Sequence, residues 1–146
     1  RRLSDGLRTY RKVPLATMLW LWSSAALGVA GLLYVLVRGG WLLVRGRLRT
    51  TSTLSLPLVA ALLLFVPIPF FLRQSFLALG DLTMASGLLA FATAALLPAM
   101  VYGQVRLLMR SATIRRPALD CAALLAVTQW TIVLAAWGML PFVMWR

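Results

Sequence analysis

Apolar residues fill four long stretches of the chain, and short basic or polar segments separate them. The stretches run from 15 to 37, 54 to 72, 82 to 102 and about 119 to 143. A helix of about 20 residues, with a rise of about 1.5 Å per residue, crosses a hydrocarbon layer of roughly 30 Å. The pattern therefore predicts an all-α integral membrane protein with four transmembrane helices.

The residues before the first stretch form a segment of a different kind. Within residues 1–14, Leu3, Leu7 and Tyr10 recur at helical spacing, and basic side chains occupy other faces. This pattern is typical of a helix that lies on a membrane surface. We therefore divide the chain into a basic amphipathic N-terminal segment, 1–14, and a four-helix transmembrane domain, 15–146.

The second stretch is interrupted by three prolines, Pro57, Pro67 and Pro69. Each proline removes a backbone donor and crowds the preceding helical turn. We expect the regular helix to end early near VPIPFF, residues 66–71, in a kink or a partly unwound end. A re-entrant hairpin is the alternative to a full crossing.

Composition agrees with the apolar pattern. The chain of 146 residues is 62% hydrophobic and 12% charged, whereas about a quarter of the residues in a soluble domain are charged. Its 15 basic residues outnumber its 3 acidic residues. Because the basic residues are dispersed between the apolar stretches and do not gather on one soluble face, we expect no nucleic-acid partner.

Residues that carry catalytic chemistry are scarce. The chain has no histidine and one cysteine, Cys121. Histidine is the usual general base and a common ligand of metals and haem. The sequence also contains neither a phosphate-binding glycine loop nor a nucleophile elbow. We therefore expect no enzyme activity, no metal and no cofactor.

Two of the acidic residues, Asp81 and Asp120, stand where the third and fourth apolar stretches begin. A carboxylate at a helix N-terminus caps free backbone amides and meets the positive end of the macrodipole. We interpret both residues as helix caps. Proton transfer and a salt bridge to a partner are the alternatives.

We predict that small residues and one side-chain amide form the contacts between the helices. In a membrane, small residues at four-residue spacing allow helix backbones to approach closely, and a buried amide bonds to a neighbouring helix. The third stretch has two such rows, which places it between neighbours. The packing residues are Ser86, Ala90, Ala94, Ala95, Ala99, Gly103 and Gln129. For Gln129, contact with a quinone or a lipid headgroup is the alternative.

Arginines border the apolar stretches, at the depth where a guanidinium reaches lipid phosphates. We predict that they bind anionic phospholipid such as cardiolipin, the alternative being that they only flank the spans. The positions are Arg38, Arg45, Arg47, Arg49, Arg106, Arg110, Arg115 and Arg116. Basic residues are almost equally numerous on the two sides of the predicted membrane, so the positive-inside rule gives no orientation.

We favour the hypothesis that the protein is a non-catalytic accessory subunit of a multi-subunit complex. The complex that we favour is one of the mitochondrial respiratory chain. The protein would scaffold other membrane subunits and anionic lipid in the mitochondrial inner membrane, or alternatively in a bacterial inner membrane. Because the sequence starts at Arg1 and not at Met, we expect a processed precursor or a truncated chain.

Two other functions stay open. The first is a small homo-oligomeric transporter or channel for an anionic solute, with Gln129, the prolines of the second span and arginines along its path. The second is a membrane anchor that contributes to a quinone site.

Overall fold

The structure is a computed structural model that describes residues 2–4, 9–11, 14–46, 52–73, 83–109, 117–138 and 140. From residue 15 onward its regular elements are helices: α1 Leu15–Val44, α2 Ser55–Leu63, α3 Ile68–Arg73, α4 Met84–Met109 and α5 Pro117–Ala136. Four segments are long and apolar enough to cross a membrane: Leu15–Val44, Ser55–Arg73, Met84–Met109 and Ala118–Ala136. The prediction of four such helices is confirmed.

The N-terminal segment differs from the expected surface helix. Strand β1, Arg2–Ser4, pairs antiparallel with strand β2, Thr9–Arg11, and Leu3 lies opposite Tyr10 in the register. In its described residues, the segment is therefore a short two-stranded ribbon.

Helix α1 continues past residue 37, where its apolar stretch was predicted to end. It runs through Arg38 and two glycines to Val44. Gly46 then adopts a left-handed conformation with φ 64°, and its N–H donates to the Leu43 carbonyl at 2.9 Å. A left-handed glycine is a common helix terminator. The two additional turns place Arg38 inside the helix.

The second apolar stretch is interrupted, as its prolines predict. Helix α2 ends at Leu63, residues 64–67 form turns, and α3 starts at Ile68. The carbonyl of Pro67 accepts hydrogen bonds from the N–H groups of Phe70 and Phe71 at 3.1 and 3.0 Å. The break therefore comes slightly earlier than residues 66–71, and the helix resumes within that segment.

Helix α5 ends earlier than predicted, at Ala136 and not near residue 143. Gly138 takes a left-handed conformation with φ 67°, and its N–H donates to the Ala135 carbonyl at 3.0 Å. This is the same kind of terminator that ends α1.

The helices form a ring in the order α1, α5, α4, α2, and ring neighbours are antiparallel. Helix α3 packs mainly on α4. Helix α4 has a neighbour on each side, α2 and α5, as expected, but in a ring it has no more central place than the others. The core is built by all four long segments and includes Val35, Leu54, Ala61, Met100 and Leu124.

Candidate functional site

An ion pair links α1 to α5 at one end of the bundle. Arg38 Nε lies 3.1 Å from Asp120 Oδ1, and the Tyr34 hydroxyl donates to the same carboxylate oxygen at 2.8 Å. Arg38 Nη1 also donates to the Tyr34 hydroxyl oxygen at 2.8 Å. The three side chains form a closed set of charge-assisted hydrogen bonds. We call Tyr34, Arg38 and Asp120 the ion-pair cluster.

Local sequence explains how the cluster assembles. Tyr34 and Arg38 are four residues apart on α1, so they share one face of the helix. On the same side of α1, Gly31 lies so close to α5 that an added Cβ would stand 2.7 Å from the Ala123 carbonyl oxygen. Glycine therefore allows the two backbones to approach within reach of a short aspartate side chain.

Burial makes the ion pair obligatory for Asp120. The Asp120 side chain is 2% exposed and the Arg38 side chain 24%. A buried charge is tolerated only when it is paired and hydrogen-bonded. Because Tyr34 and Arg38 together satisfy Oδ1 of Asp120, the cluster holds α1 and α5 together and neutralises both charges.

The two predicted helix caps have different outcomes. Asp120 lies in the first turn of α5, a position where a carboxylate interacts favourably with the macrodipole. Its Oδ1 atom is bound to α1, so the aspartate has an interhelical contact that the capping hypothesis did not include. Asp81 lies outside the described residues.

Two amide side chains tie α5 to its neighbours on opposite sides. Gln129 Nε2 donates to Ser24 Oγ of α1 at 2.6 Å, and Gln104 Nε2 of α4 donates to Thr128 Oγ1 at 2.7 Å. Thr128 in turn donates to the carbonyl of Leu124 at 2.8 Å. Gln129 thus contacts a neighbouring helix, the kind of contact proposed for it from the sequence.

The two small-residue rows of α4 face different surroundings. In the row Ala95, Ala99, Gly103, the last two residues are buried, and a Cβ added at Gly103 would lie 2.7 Å from Pro57 Cγ of α2. In the row Ser86, Ala90, Ala94, only Ala90 is buried and Ala94 is exposed. The first row packs α4 against its neighbours, whereas the second runs out to the surface of the bundle.

A shallow cleft of about 200 Å³ separates α4 and α5 beside Ala94. The Thr93 hydroxyl donates to the Leu89 carbonyl of its own helix at 2.8 Å, and the Thr131 hydroxyl to the Val127 carbonyl at 2.7 Å. Because both hydroxyls are used within their helices, the cleft presents mostly apolar atoms. Its walls are formed by Thr93, Ala94 and Leu97 of α4 and by Thr131, Ile132 and Ala135 of α5.

The described arginines of the predicted lipid-binding set share a geometry. The guanidinium carbon lies 5.7 Å from the Tyr34 ring centre in Arg38, 4.4 Å from the Trp41 ring centre in Arg45, and 5.1 Å from the Tyr102 ring centre in Arg106. Each aromatic residue precedes its arginine by four positions, one helical turn. The other predicted positions, Arg47, Arg49, Arg110, Arg115 and Arg116, lie outside the described residues.

The three aromatic residues are functional candidates that hydrophobic patterning alone does not reveal. The repeated spacing aromatic-x-x-x-Arg, in YVLVR, WLLVR and YGQVR, is the sequence signal that could have found them. The signal for Asp120 as the partner of Arg38 is weaker, because nothing local connects α1 with α5.

Three elements of the proposed solute path each have a partner inside the bundle. Gln129 is bonded to Ser24, Arg38 is bonded to Asp120, and Pro57 packs against Gly103 on the α2–α4 side. Each of these side chains has a partner of its own, so the described contacts do not align them along one path.

Within the described ranges, no group of three or more His, Cys, Asp or Glu side chains could hold a metal ion. Comparison with protein-family models, curated proteins and solved structures gives no match. The chain's own contacts therefore carry the functional argument.

Proposed function

We propose that the protein is an integral membrane protein and serves as a non-catalytic accessory subunit of a larger membrane complex. The observation that carries this proposal is the distribution of polar and apolar side chains. The ion-pair cluster, Gln104 and Gln129 bind partners between helices, while large apolar side chains cover the outside. Exposed examples are Leu19, Trp22, Leu33, Val59, Phe91 and Leu108. An apolar surface of this extent is typical of contact with lipid or with other subunits.

The tryptophans of α1 support a full membrane crossing. Trp20 and Trp22 lie near its N-terminal end, and Trp41 lies near its C-terminal end. At a rise of about 1.5 Å per residue, the two groups are about 30 Å apart, the thickness of a hydrocarbon core. Tryptophan is enriched at both membrane–water interfaces. Helix α1 therefore fits a membrane with one aromatic group at each interface.

Interhelical polar contacts support a structural role. The ion-pair cluster joins α1 to α5, and the Gln104–Thr128 hydrogen bond joins α4 to α5. Contacts of this kind fix the positions of helices whose outer faces are free to pack against partners. The nearly equal numbers of basic residues on the two sides favour an orientation set by assembly. The most specific setting that we propose is the mitochondrial respiratory chain, with a bacterial inner membrane as the alternative.

The proposal is tested by gentle extraction of the native membrane, followed by native mass spectrometry and identification of every companion. We expect the chain in an assembly with several different membrane subunits, and retention of the chain in the membrane after alkaline carbonate washing. Release by carbonate would contradict membrane insertion. A homo-oligomer that moves an anionic solute in liposomes would replace the accessory-subunit proposal with the transporter alternative.

Site-specific photo-crosslinking sharpens the same test. A crosslinker at Phe91 of α4 or Leu33 of α1, both exposed, should capture another subunit or a lipid. The matched control is Met100, which is fully buried in the same helix as Phe91 and should capture only residues of this chain. Capture of the same chain alone from both exposed positions would indicate a homo-oligomer.

A further inference from the structure

The three aromatic–arginine pairs all lie at the end of the bundle that contains Asp120. Tyr34, Arg38 and Trp41 occupy the last part of α1, Arg45 directly follows it, and Tyr102 and Arg106 occupy the last part of α4. Contacts of the residues nearby join these helix ends to the beginnings of α2 and α5: Gly39 meets Leu58, and Gly103 meets Thr53, Pro57 and Leu124. We call this the Asp120 end.

The three arginines differ in what else they contact. Arg38 is bound to the buried carboxylate of Asp120. Arg45 is exposed and Arg106 is half-buried, and neither forms an ion pair with a carboxylate among the residues that the structure describes. Within the described ranges, no carboxylate therefore neutralises the guanidinium groups of Arg45 and Arg106.

Stacking on an aromatic ring prepares these two guanidinium groups for phosphate. The ring restricts the long arginine side chain and leaves the N–H donors at the edge of the guanidinium plane free. Guanidinium edges bind phosphate oxygens through paired, charge-assisted hydrogen bonds. Because the contact with Trp41 or Tyr102 uses no oxygen acceptor, it is compatible with hydrogen bonds from the guanidinium to phosphate.

The depth of Arg45 also suits a lipid phosphate. Trp41 marks the interface at this end of α1, and Arg45 lies one turn, about 6 Å, beyond it along the helix axis. Lipid phosphates lie just outside the aromatic layer of a bilayer. The guanidinium at 4.4 Å from the Trp41 ring centre is therefore at headgroup level.

We propose that Arg45 and Arg106 bind the phosphate groups of anionic phospholipids, whereas Arg38 does not, because Asp120 already neutralises it. This inference rests on the proposed membrane insertion. Of the three described arginines in the predicted lipid-binding set, it keeps Arg45 and Arg106 and assigns Arg38 to the interior of the bundle.

The test uses the full chain in nanodiscs of phosphatidylcholine with a minor share of phosphatidylglycerol, and native mass spectrometry of the retained lipid. One arginine near a membrane surface contributes about a fivefold preference for anionic lipid. The double variant Arg45→Gln/Arg106→Gln should therefore lose about 25-fold in relative affinity for phosphatidylglycerol. A loss smaller than about twofold would overturn the proposal, given the same per-residue expectation.

Control variants separate stacking, charge and position. Arg73→Gln removes an exposed arginine that follows Pro69, not an aromatic residue, by four positions, and it should leave the lipid preference nearly unchanged. Trp41→Leu/Tyr102→Leu keeps both charges and should lower the preference by about twofold to fivefold for each lost cation–π contact. A loss of about fivefold from Arg73→Gln, the loss expected for one lipid-binding arginine, would show unspecific charge attraction and overturn the assignment.

Arg38→Gln should leave the phosphatidylglycerol preference unchanged, and a loss of about fivefold, as expected for one lipid-binding arginine, would contradict the distinction between the arginines. Because Arg38→Gln leaves Asp120 unpaired, Arg38→Met/Asp120→Leu serves as the variant that removes the pair and keeps the packing.

Glycerol phosphate added in solution should not displace the lipid, since it lacks acyl chains. Complete displacement would indicate a site for soluble phosphate and overturn the lipid assignment.

Insertion into the nanodisc is measured separately. A chain that does not insert would overturn both the proposed function and this inference. A chain that inserts but whose double variant keeps its lipid preference would overturn this inference alone.

Discussion

The two ends of the helical bundle are packed differently although both are built from apolar residues. At the Asp120 end, all four ring segments contribute residues with almost no exposure, among them Val35, Leu54, Met100 and Leu124. The far end is formed by the first part of α1, by α3, by the first part of α4 and by the last part of α5. No residue of α1 before Ser24 is buried there, and α3 has no buried residue.

Small residues and chain breaks explain this difference. At the Asp120 end, Leu58 of α2 packs against Gly39, and Pro57 packs against Gly103. Helix α2 therefore contacts both α1 and α4. Towards the far end, α2 stops at Leu63, and α3 continues mainly along α4. Helix α5 stops at Ala136. Helix α1 therefore extends beyond the part of the bundle where it has close neighbours.

The comparison shows that hydrophobicity and burial are separate properties in this chain. Leu15 and Trp22 at the far end are each 73% exposed, although they belong to the same apolar helix as the fully buried Val35. Exposed apolar surface of this kind requires lipid or a partner. We therefore expect lipid or a partner to cover the exposed first part of α1 at the far end, while the contacts of the Asp120 end hold the bundle together.

The largest expected effect is the loss of the ion pair. Asp120→Ala leaves Arg38 without its carboxylate in a largely buried position, which should destabilise the bundle by about 3 kcal/mol. Reversible unfolding in mixed detergent micelles measures this. Arg38→Met/Asp120→Leu should recover most of the loss, because an apolar pair needs no compensating charge. A single variant as stable as the native chain would mean that the pair does not hold the Asp120 end.

Two leucine substitutions on α4 compare its covered face with its exposed face. Ala99 is buried and Ala94 is exposed beside the cleft. Ala99→Leu should cost about 2 kcal/mol, because the packed neighbours must move. Ala94→Leu should change the free energy of unfolding by less than about 0.5 kcal/mol. Equal effects in thermal unfolding followed by circular dichroism would remove the distinction between a covered and an exposed face of α4.

A smaller difference is expected for two glycines of the same helix. At Gly103 a Cβ would stand 2.7 Å from the Pro57 ring, whereas at Gly87 nothing lies within 4 Å. Gly103→Ala should therefore destabilise the bundle by about 1 to 2 kcal/mol through overpacking. Gly87→Ala should stabilise α4 by up to about 1 kcal/mol, since alanine is the better helix former. Changes of the same sign in the free energy of unfolding of both variants would contradict the difference in packing between Gly103 and Gly87.

The smallest effect should come from Gln129. Gln129→Leu removes the hydrogen bond to Ser24, and interhelical hydrogen bonds in membranes contribute about 0.6 kcal/mol on average. The same substitution in a Ser24→Ala background should be nearly neutral, because no polar partner is then left unpaired. Both values come from the denaturant midpoint of unfolding. Identical losses in the two backgrounds would show that Gln129 acts through packing and not through this bond.

Several features of the fold were predictable because their causes are local. Apolar runs of about 20 residues predict membrane-length helices from composition alone, and Pro67 predicts the interruption that separates α2 from α3. The end of α1 was harder to predict. Glycine and arginine after Val37 indicated a boundary, yet the helix continues because Gly39 packs on Leu58 and Arg38 finds a carboxylate.

The candidate site was only partly predictable, because its partners are far apart in the sequence. Tyr34 and Asp120 are separated by 86 residues, and Gln129 and Ser24 by 105. Gln129 could be recognised as a packing residue because an amide in an apolar stretch needs a partner, but the identity of that partner depends on the ring order. The pairs of Arg45 with Trp41 and of Arg106 with Tyr102 have helical spacing. They could therefore be predicted from the sequence without knowledge of the tertiary structure.

By itself, the sequence determined that this chain forms apolar helices of membrane length. Each apolar residue adds its own free-energy cost of exposure to water, so the total for a stretch follows from its composition. The tertiary structure decided which arginine is neutralised, which small residues are covered and which end of the bundle is closed. These outcomes depend on which helix faces meet. A glycine or a proline in one helix decides which faces meet, because it leaves or fills the space for a side chain of the neighbouring helix.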